Sequence, residues 1–310
     1  MEPSRLVYSP IVTRPRLVWP DGARIALWMV PNIEVYQYLP GETGVRNPWP
    51  RMPHPDVQGY STRDYGNRVG FWRMLDVLDR YEVPCTLSLN IAAYEYFPEI
   101  MRECESRRYD VMCHGVYNTQ FLWGVGEDEE RAFIADCVRR FHSLTGRDFT
   151  GWFGPAGTHT VNTPDLVAEA GVRYYCDWFH DDQPFPMQVR SGSLISLPYQ
   201  IQVNDGRNFR VNTEAEDFAD QAIELFDRLY EEGGESGTIF SLAPHPYILG
   251  QPHRIRAFER IVAHVTNHKD VWKATGIEIA DWYTAHYLPL LNEHLAQEAM
   301  DPRFQGERQS

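Results

Sequence analysis

Cysteine is scarce in this sequence. The chain contains five cysteines: Cys85, Cys104, Cys113, Cys137 and Cys176. They are odd in number, widely spaced and never arranged as C-x-x-C, so neither a disulfide framework nor a sulfur-rich zinc site is predicted. We expect them to be small buried residues, including Cys113, which adjoins a histidine.

The sequence also has few positively charged residues and no long apolar run. The 29 Lys and Arg residues face 43 Asp and Glu residues, a formal net charge of −14. Such a surface repels phosphate backbones and acidic lipids, so no nucleic-acid or membrane partner is predicted. No segment approaches the roughly 20 apolar residues that cross a bilayer, and the first residues lack the apolar stretch of a secretory signal. We therefore expect a cytoplasmic protein.

What the chain does have is a regular alternation of strand and helix patterns. Seven apolar runs of strand length recur, at residues 24–31, 83–90, 109–114, 149–153, 172–178, 193–199 and 237–245. Helical periodicity separates most of them, most clearly at 127–146, where Gly146 provides a stop signal. Repeated units of this kind indicate an α/β fold with a parallel sheet, closed or nearly closed into a barrel. We predict a single barrel domain over residues 1–299 and a polar tail at 300–310.

One connection breaks this pattern. Residues 36–66 combine aromatic residues and glycines with Pro40, Pro48, Pro50, Pro53 and Pro55. The segment is far longer than the usual connection of about 2 to 6 residues. It is predicted to be a long lid over the barrel mouth. Exposed aromatic residues in this segment and in the tail would suit a homo-oligomer.

Polar residues follow the ends of several predicted strands. The set comprises Asn32, Glu34, Asn90, His114, the turn at 151–157, Asp177 and His245. Because the carboxyl ends of parallel strands meet at one mouth of a barrel, these residues are predicted to converge there. Each one alone has an ordinary structural explanation, such as a helix cap or a strand-end hydrogen bond. Together, a carboxylate and two histidines could supply a base, an acid and an oxyanion stabiliser.

His114 could belong to a metal site, to a catalytic pair, or to the end of a buried strand. A His-x-x-x-His spacing would be a common zinc arrangement, but the residue four positions later is Asn118. A neutral amide oxygen is a poor zinc ligand beside imidazole.

Seven motifs, in order over most of residues 20–285, carry a resemblance to a known family. They are "PNIE", "YGNRVGFWR", "CHGVYNT", "GWFGPAGTHT", "CDWFHDDQP", "LPY" with "VND", and "PHPYILGQPHR". The series resembles the polysaccharide deacetylase superfamily, in the branch that includes the metal-independent allantoinase and cyclic imide hydrolases. The resemblance implies a distorted (β/α)7-type barrel with its site at the carboxyl-terminal mouth.

The resemblance also bears on the metal. Sugar deacetylases of this superfamily carry two adjacent aspartates, one a base and one a metal ligand, and then the two histidines of a His-x-x-x-His pair. Here the base position is Glu34, the adjacent ligand position is Val35 and the second histidine position is Asn118. Two of three ligands are missing, so no metal cofactor is predicted. Zinc bound by Glu34, His114 and His245 remains the alternative.

The predicted reaction is hydrolysis of a carbon–nitrogen bond, other than a peptide bond, in a small cyclic amide, imide or ureide. Glu34 would take a proton from water, and His245 or His114 would protonate the departing nitrogen. The predicted substrate-binding residues are Asn32, Asn118, Asp177, Trp152, Pro155, Gly157, Tyr65 and Arg68.

Two other functions stay open at this point. One is a zinc-dependent N-deacetylase acting on a sugar or another acylated amine. The other is a non-catalytic ligand-binding protein on a deacetylase fold. Retention of Glu34 together with both histidines argues against the latter.

Overall fold

The computed structural model describes residues 5–40, 55–209 and 213–300. The strands are β1 (Ile25–Met29), β2 (Asn32–Ile33), β3 (Thr86–Leu89), β4 (Asp110–Cys113), β5 (Gly151–Trp152), β6 (Tyr174–Tyr175), β7 (Phe185–Met187), β8 (Leu194–Ser196), β9 (Thr238–Leu242) and β10 (Val271–Lys273). The helices are α1 (Val57–Tyr65), α2 (Phe71–Arg80), α3 (Ala93–Tyr96), α4 (Pro98–Ser106), α5 (Glu127–Thr145), α6 (Thr163–Glu169), α7 (Asp205–Asn208), α8 (Ala215–Glu232), α9 (Ile255–Thr266), α10 (Gly276–His286) and α11 (Leu288–Met300). In these ranges, no helix is long and apolar enough to span a bilayer.

The strands are almost all parallel. β1 lies between β9 and β10, and the order from β2 runs β3, β4, β5, β6, β8 and β7. Among the strands of the described residues, only β7 runs antiparallel, against β8. A parallel bridge from Met29 to Cys85 joins the end of β1 to the second sheet. The two sheets therefore curve round as one distorted barrel.

A side chain that follows β8 bonds directly to β9. Within the described residues no strand ladder joins these two strands. Instead, Gln200 donates its amide to the carbonyl of Ile239 over 2.6 Å and accepts the hydroxyl of Ser241 over 2.9 Å. Because the side-chain amide has the same donor and acceptor as a peptide group, Gln200 bonds to β9 as a backbone group would.

Alternate side chains of β1 enter two separate hydrophobic clusters. Ile25 and Leu27 belong to the cluster that includes the surrounding helices. Ala26 and Trp28 belong to a second cluster together with Tyr174. Successive residues of a strand point to opposite faces, so a strand buried on both sides reads as a continuous apolar run. That is why the sequence pattern identified the strand.

Each predicted strand run contains an observed strand, but three strands were missed: β2, which lies just beyond the first run, β7 and β10. β7 is short and includes Pro186, and β10 is only partly buried, so neither is an apolar run. The predicted helix at 127–146 is α5, and Gly146 ends it at φ +67°. All five cysteines are buried and free, as predicted.

Part of the predicted lid at 36–66 can be placed. Residues 41–54 lie outside the described residues, as do residues 301–310 of the predicted tail. The described ends of the lid are residues 36–40 and helix α1, which continues into a π-helical turn at Gly66–Gly70.

Candidate active site

Three strand ends bring Glu34, His114 and His245 together at one mouth of the barrel. Glu34 directly follows β2, His114 directly follows β4, and His245 comes three residues after β9. The Nε2 atom of His114 lies 3.6 Å from Glu34 Oε1, and that of His245 lies 3.4 Å from the same oxygen. All three side chains are buried.

Glu34 is held by hydrogen bonds on both carboxylate oxygens. Asn118 donates its amide to Oε1 over 2.8 Å, and the Tyr36 hydroxyl donates to Oε2 over 2.8 Å. Burial by itself would raise the pKa of Glu34, but the charge of His245 and the nearby His114 outweigh it and hold the pKa well below its usual range. Glu34 is therefore ionised at neutral pH.

Asp205 fixes the orientation of His245. Its Oδ1 lies 2.5 Å from His245 Nδ1, and its Oδ2 accepts the His245 backbone N–H over 2.8 Å. Burial would lower the pKa of His245, but the carboxylates of Asp205 and Glu34 raise it to about 10. At neutral pH the imidazole is protonated, with its Nε2–H directed toward Glu34.

His114 is oriented by a backbone carbonyl. Its Nδ1 lies 2.9 Å from the Phe153 oxygen, and its ring stacks on Phe153 at 5.0 Å with an interplanar angle of 7°. A carbonyl oxygen only accepts, so Nδ1 carries a proton and Nε2 is the atom that faces Glu34.

The orientation of Asn118 decides what it offers to the site. Its Oδ1 accepts the Ala156 backbone N–H over 2.7 Å. A backbone N–H only donates, so the atom it meets must be the oxygen of the amide. The NH2 group therefore points to Glu34 and to the hydroxyl of Tyr36, at 2.8 and 2.6 Å. Asn118 presents hydrogens to the site, where a metal would require a lone pair.

The usual metal site of the sugar deacetylases does not fit these residues. Val35 has no ligand atom, and it packs in the larger hydrophobic cluster. Asn118 turns its only ligand atom toward Ala156. Of these three ligand positions, only His114 keeps the arrangement of a metal-bound histidine, because its second nitrogen donates to a carbonyl.

A cavity of about 390 Å³ opens in front of this group. Its walls are mainly aromatic, and the described residues that line it are Glu34, Tyr36, His114, Asn118, Phe121, Trp123, Phe153, Ala156, Gly157, Phe179, Tyr199, Ile201, Asn204, Gly206, Arg207, His245 and Tyr247. A second space of about 290 Å³ shares Glu34 and Tyr36 with it and is lined by Tyr38, Tyr60 and Arg63. The described ends of the predicted lid thus lie beside Glu34.

Of the eight predicted substrate-binding residues, Asn118 and Gly157 line the cavity and the other six do not. Asn32 hydrogen bonds to the Ala243 carbonyl below the site, and Trp152 is fully buried in the core. Pro155 is buried under Gly115. Asp177 accepts the Gly154 N–H over 2.9 Å, and burial raises its pKa to about 6. These residues support the cavity walls from behind, since strand-end position alone does not give the direction of a side chain.

The two predicted residues of the "YGNRVGFWR" motif also lie elsewhere. The Tyr65 hydroxyl accepts from Arg73 over 2.6 Å, and Arg68 is exposed and pairs with Asp64. The residue of this motif that reaches the site is Asn67, whose amide donates to the Glu34 carbonyl over 2.8 Å.

Two glycines of that motif, Gly66 and Gly70, allow a close backbone contact. A Cβ at Gly70 would lie 2.0 Å from the Pro246 carbonyl oxygen, and one at Gly66 would lie 2.6 Å from the Tyr247 nitrogen. Only glycine allows the π-helical turn to approach the loop that carries His245. The turn thus supports both Glu34 and His245.

Three residues that hold the site were not predicted from the sequence: Asp205, Tyr36 and Asn67. Asp205 lies in the "VND" motif and is the first residue of α7, which Asn204 caps. Its position in that motif was the available signal. Tyr36 and Asn67 become recognisable only when the lid and the π-helical turn are folded against Glu34.

Known proteins resemble this chain in sequence and structure. Residues 53–175 match the family model for polysaccharide deacetylase. A Schizosaccharomyces pombe protein named by inference as a polysaccharide deacetylase is 27% identical, over 90% of this chain and 95% of its own. The crystal structure of the allantoinase PuuE is 28% identical with a TM-score of 0.76, over 88% of this chain and 94% of that chain. That of a probable polysaccharide deacetylase from Pseudomonas aeruginosa PAO1 is 28% identical with a TM-score of 0.77, over 88% and 95%.

These similarities confirm the predicted resemblance to the polysaccharide deacetylase superfamily and the predicted α/β fold. The fold is that of a family of hydrolases. The similar proteins carry both deacetylase and allantoinase names, so they leave the substrate to be inferred from the site.

Proposed function

From this similarity we propose that the protein hydrolyses a carbon–nitrogen bond, other than a peptide bond, in a cyclic amide, imide or ureide. The observation that carries the proposal is the orientation of Asn118, which directs its amide hydrogens toward Glu34. A site built in this way stabilises a carboxylate by hydrogen bonds instead of by a metal ion. The similarity to the allantoinase PuuE supports the same substrate class.

The ionisation states of Glu34 and His245 suit this reaction. Glu34 is a carboxylate and accepts a proton from the attacking water, whose oxygen bonds to the ring carbonyl carbon. His245 is an imidazolium, and its Nε2–H protonates the ring nitrogen as the carbon–nitrogen bond breaks. The ring opens to a carboxylic acid and an amine or amide nitrogen. Asp205 retains the Nδ1 hydrogen bond throughout and stabilises the charged imidazole.

The cavity walls suit a flat polar ring. Phe153 and Tyr199 stack at 4.6 Å on one side, and Trp123 and Phe179 line the same cavity. Aromatic walls bury the faces of a planar ring, while a few fixed polar groups orient its edge. Arg207 is the one arginine or lysine that lines this cavity within the described part of the chain. Its guanidinium would donate a hydrogen bond to a carbonyl oxygen of the substrate.

A zinc-dependent N-deacetylase is the second candidate. It is favoured by His114, whose Nδ1 donates to a carbonyl as a metal-bound histidine does, and by the deacetylase names of similar proteins. Zinc would polarise an acetyl carbonyl and activate water. His114 and Glu34 would be available to hold it, with His245 completing the set that the sequence analysis proposed.

One paired experiment separates the two candidates. Purified protein is assayed for its metal content and tested on a panel of cyclic ureides, imides and lactams and on a panel of N-acetylated sugars. The Glu34→Gln variant provides the background for each substrate. We expect ring opening that does not require metal, whether or not the purified protein carries a metal ion at another site. Acetate release that requires one equivalent of zinc, with no ring opening, would favour the deacetylase and refute the proposal.

A further inference from the structure

A second group of ligand-type side chains lies between helices α8 and α9. Asp227 of α8 and His264 of α9 are 2.6 Å apart, from Oδ1 to Nε2. His268, four residues after His264, places its Nε2 3.9 Å from the same oxygen. One carboxylate oxygen and two imidazole nitrogens thus lie within 4.8 Å of one another, and among the described residues this is the one group of three or more such side chains that does so.

The tautomer of His268 is fixed for binding. Its Nδ1 lies 2.9 Å from the carbonyl oxygen of His264, so Nδ1 carries the proton and Nε2 keeps its lone pair. Metal-bound histidines commonly donate their other ring N–H to a backbone carbonyl in this way. Two aromatic rings also restrict the imidazole, because Phe226 and Tyr230 each contact it edge-on at 5.0 Å.

We propose that Asp227, His264 and His268 bind one divalent transition-metal ion of the zinc type. Ligands of a tetrahedral zinc ion are about 3.4 Å apart, as bonds of about 2.1 Å require. The distance from His268 to Asp227 is 3.9 Å and that from His264 to Asp227 is 2.6 Å, so each changes by less than about 1 Å on binding. Water completes the coordination, because all three side chains are partly exposed.

The position of this site indicates a structural role. The end of α8 leads to the start of β9, and the end of α9 leads to the start of β10. The cluster therefore lies toward the amino-terminal end of the barrel strands, whereas Glu34 and His245 lie at the carboxyl-terminal end. In the chain, α8 precedes β9 and α9 follows it. A metal ion here would link these two helices. Binding is expected to stabilise the fold without changing turnover.

The test uses zinc chloride with the full-length protein after EDTA treatment and desalting. Zinc binding is measured by calorimetry, and melting temperature is measured with and without zinc. The wild type is compared with His264→Ala/His268→Ala, and with Asp227→Asn, which keeps the shape of the side chain. We expect the wild type to bind one equivalent more than the double variant, and zinc to raise its melting temperature by a few degrees. Asp227→Asn should weaken this binding at least tenfold.

The matched control is His142→Ala, since His142 pairs with Asp148 over 3.0 Å on an exposed surface without a second histidine. It should bind zinc as the wild type does. Any zinc that the double variant still binds belongs to another site, such as the barrel mouth. Equal stoichiometry and an equal melting-temperature shift in the wild type and the double variant would overturn the proposal and leave His264 and Asp227 as a simple hydrogen-bonded pair between helices.

Discussion

Asn118 donates its side-chain amide to Oε1 of Glu34 over 2.8 Å. The contact directs an amide hydrogen of Asn118 toward Glu34, at the position where the resemblance to the sugar deacetylases implies a metal-binding histidine. It also stabilises the ionised form of Glu34, because a hydrogen bond to a carboxylate favours its charge.

The first prediction follows from this contact. Enzyme treated with a chelator and then desalted should keep most of its ring-opening activity, because Asn118 and Val35 supply no ligand. The assay compares kcat/KM before and after treatment, with metal content measured on the same samples. Complete loss of activity, restored by one equivalent of zinc, would contradict a metal-independent reaction. Loss of thermal stability alone would not, because the site at Asp227 is remote from the barrel mouth.

The second prediction concerns Glu34 itself. Glu34→Gln keeps the shape of the side chain and can still accept the Asn118 hydrogen bond, but it cannot take up a proton from water. We expect kcat to fall by a factor on the order of 10² to 10⁴, with KM changed little. Melting temperature is measured on the same preparation. A variant with near-normal turnover and a lowered melting temperature would show that Glu34 is a structural residue.

The third prediction is that Asp205 sets the pH at which activity falls on the alkaline side of the pH profile. His245 must be protonated to act as the acid, so activity should fall as the pH rises through about 10, the pKa of this residue. Asp205→Asn removes the negative charge that raises this pKa. The alkaline limb of kcat/KM should therefore move to lower pH by roughly one to three units.

A purely structural role for Asp205 would give a different profile. In that case Asp205→Asn would lower activity equally at every pH, and the limb would stay in place. Tyr36→Phe serves as a comparison, because it removes a hydrogen bond from Glu34 without touching the pair of Asp205 and His245. Its alkaline limb should remain close to that of the wild type.

The fourth prediction uses the buried carboxyl of Asp177. Burial raises its pKa from 3.8 to about 6, so the neutral form stabilises the folded state. That contribution is fully present below pH 3.8 and is lost as the pH rises through about 6. Asp177→Asn stays neutral. The free energy of unfolding of the variant, relative to the wild type, should therefore rise by up to about 3 kcal/mol between pH 4 and pH 8.

Chemical denaturation at the two pH values measures this difference. Any cost of shape or of an unpaired amide in the variant is present at both pH values, so it cancels from the comparison. A relative stability that does not change with pH would show that Asp177 is ionised in the folded protein with an ordinary pKa.

Much of the architecture could be predicted because it depends on local patterns. Buried parallel strands are mainly apolar runs, and polar residues follow their ends. For that reason Glu34, His114 and His245 were identifiable from the chain alone. β10 was not, because its residues are only partly buried and carry no such pattern.

The sequence by itself determined which residue types follow the strands at the mouth of the barrel: a carboxylate, two histidines and Asn118, with apolar Val35 directly after the carboxylate. Tertiary structure decided how they are used. Asp205 meets His245 across 40 residues, and Ala156 meets Asn118 across 38, and these contacts set the charge of one side chain and the orientation of the other. Hydrogen bonds between distant segments leave no periodic trace in a sequence. They depend on which segments the fold brings together and on the direction in which each side chain points.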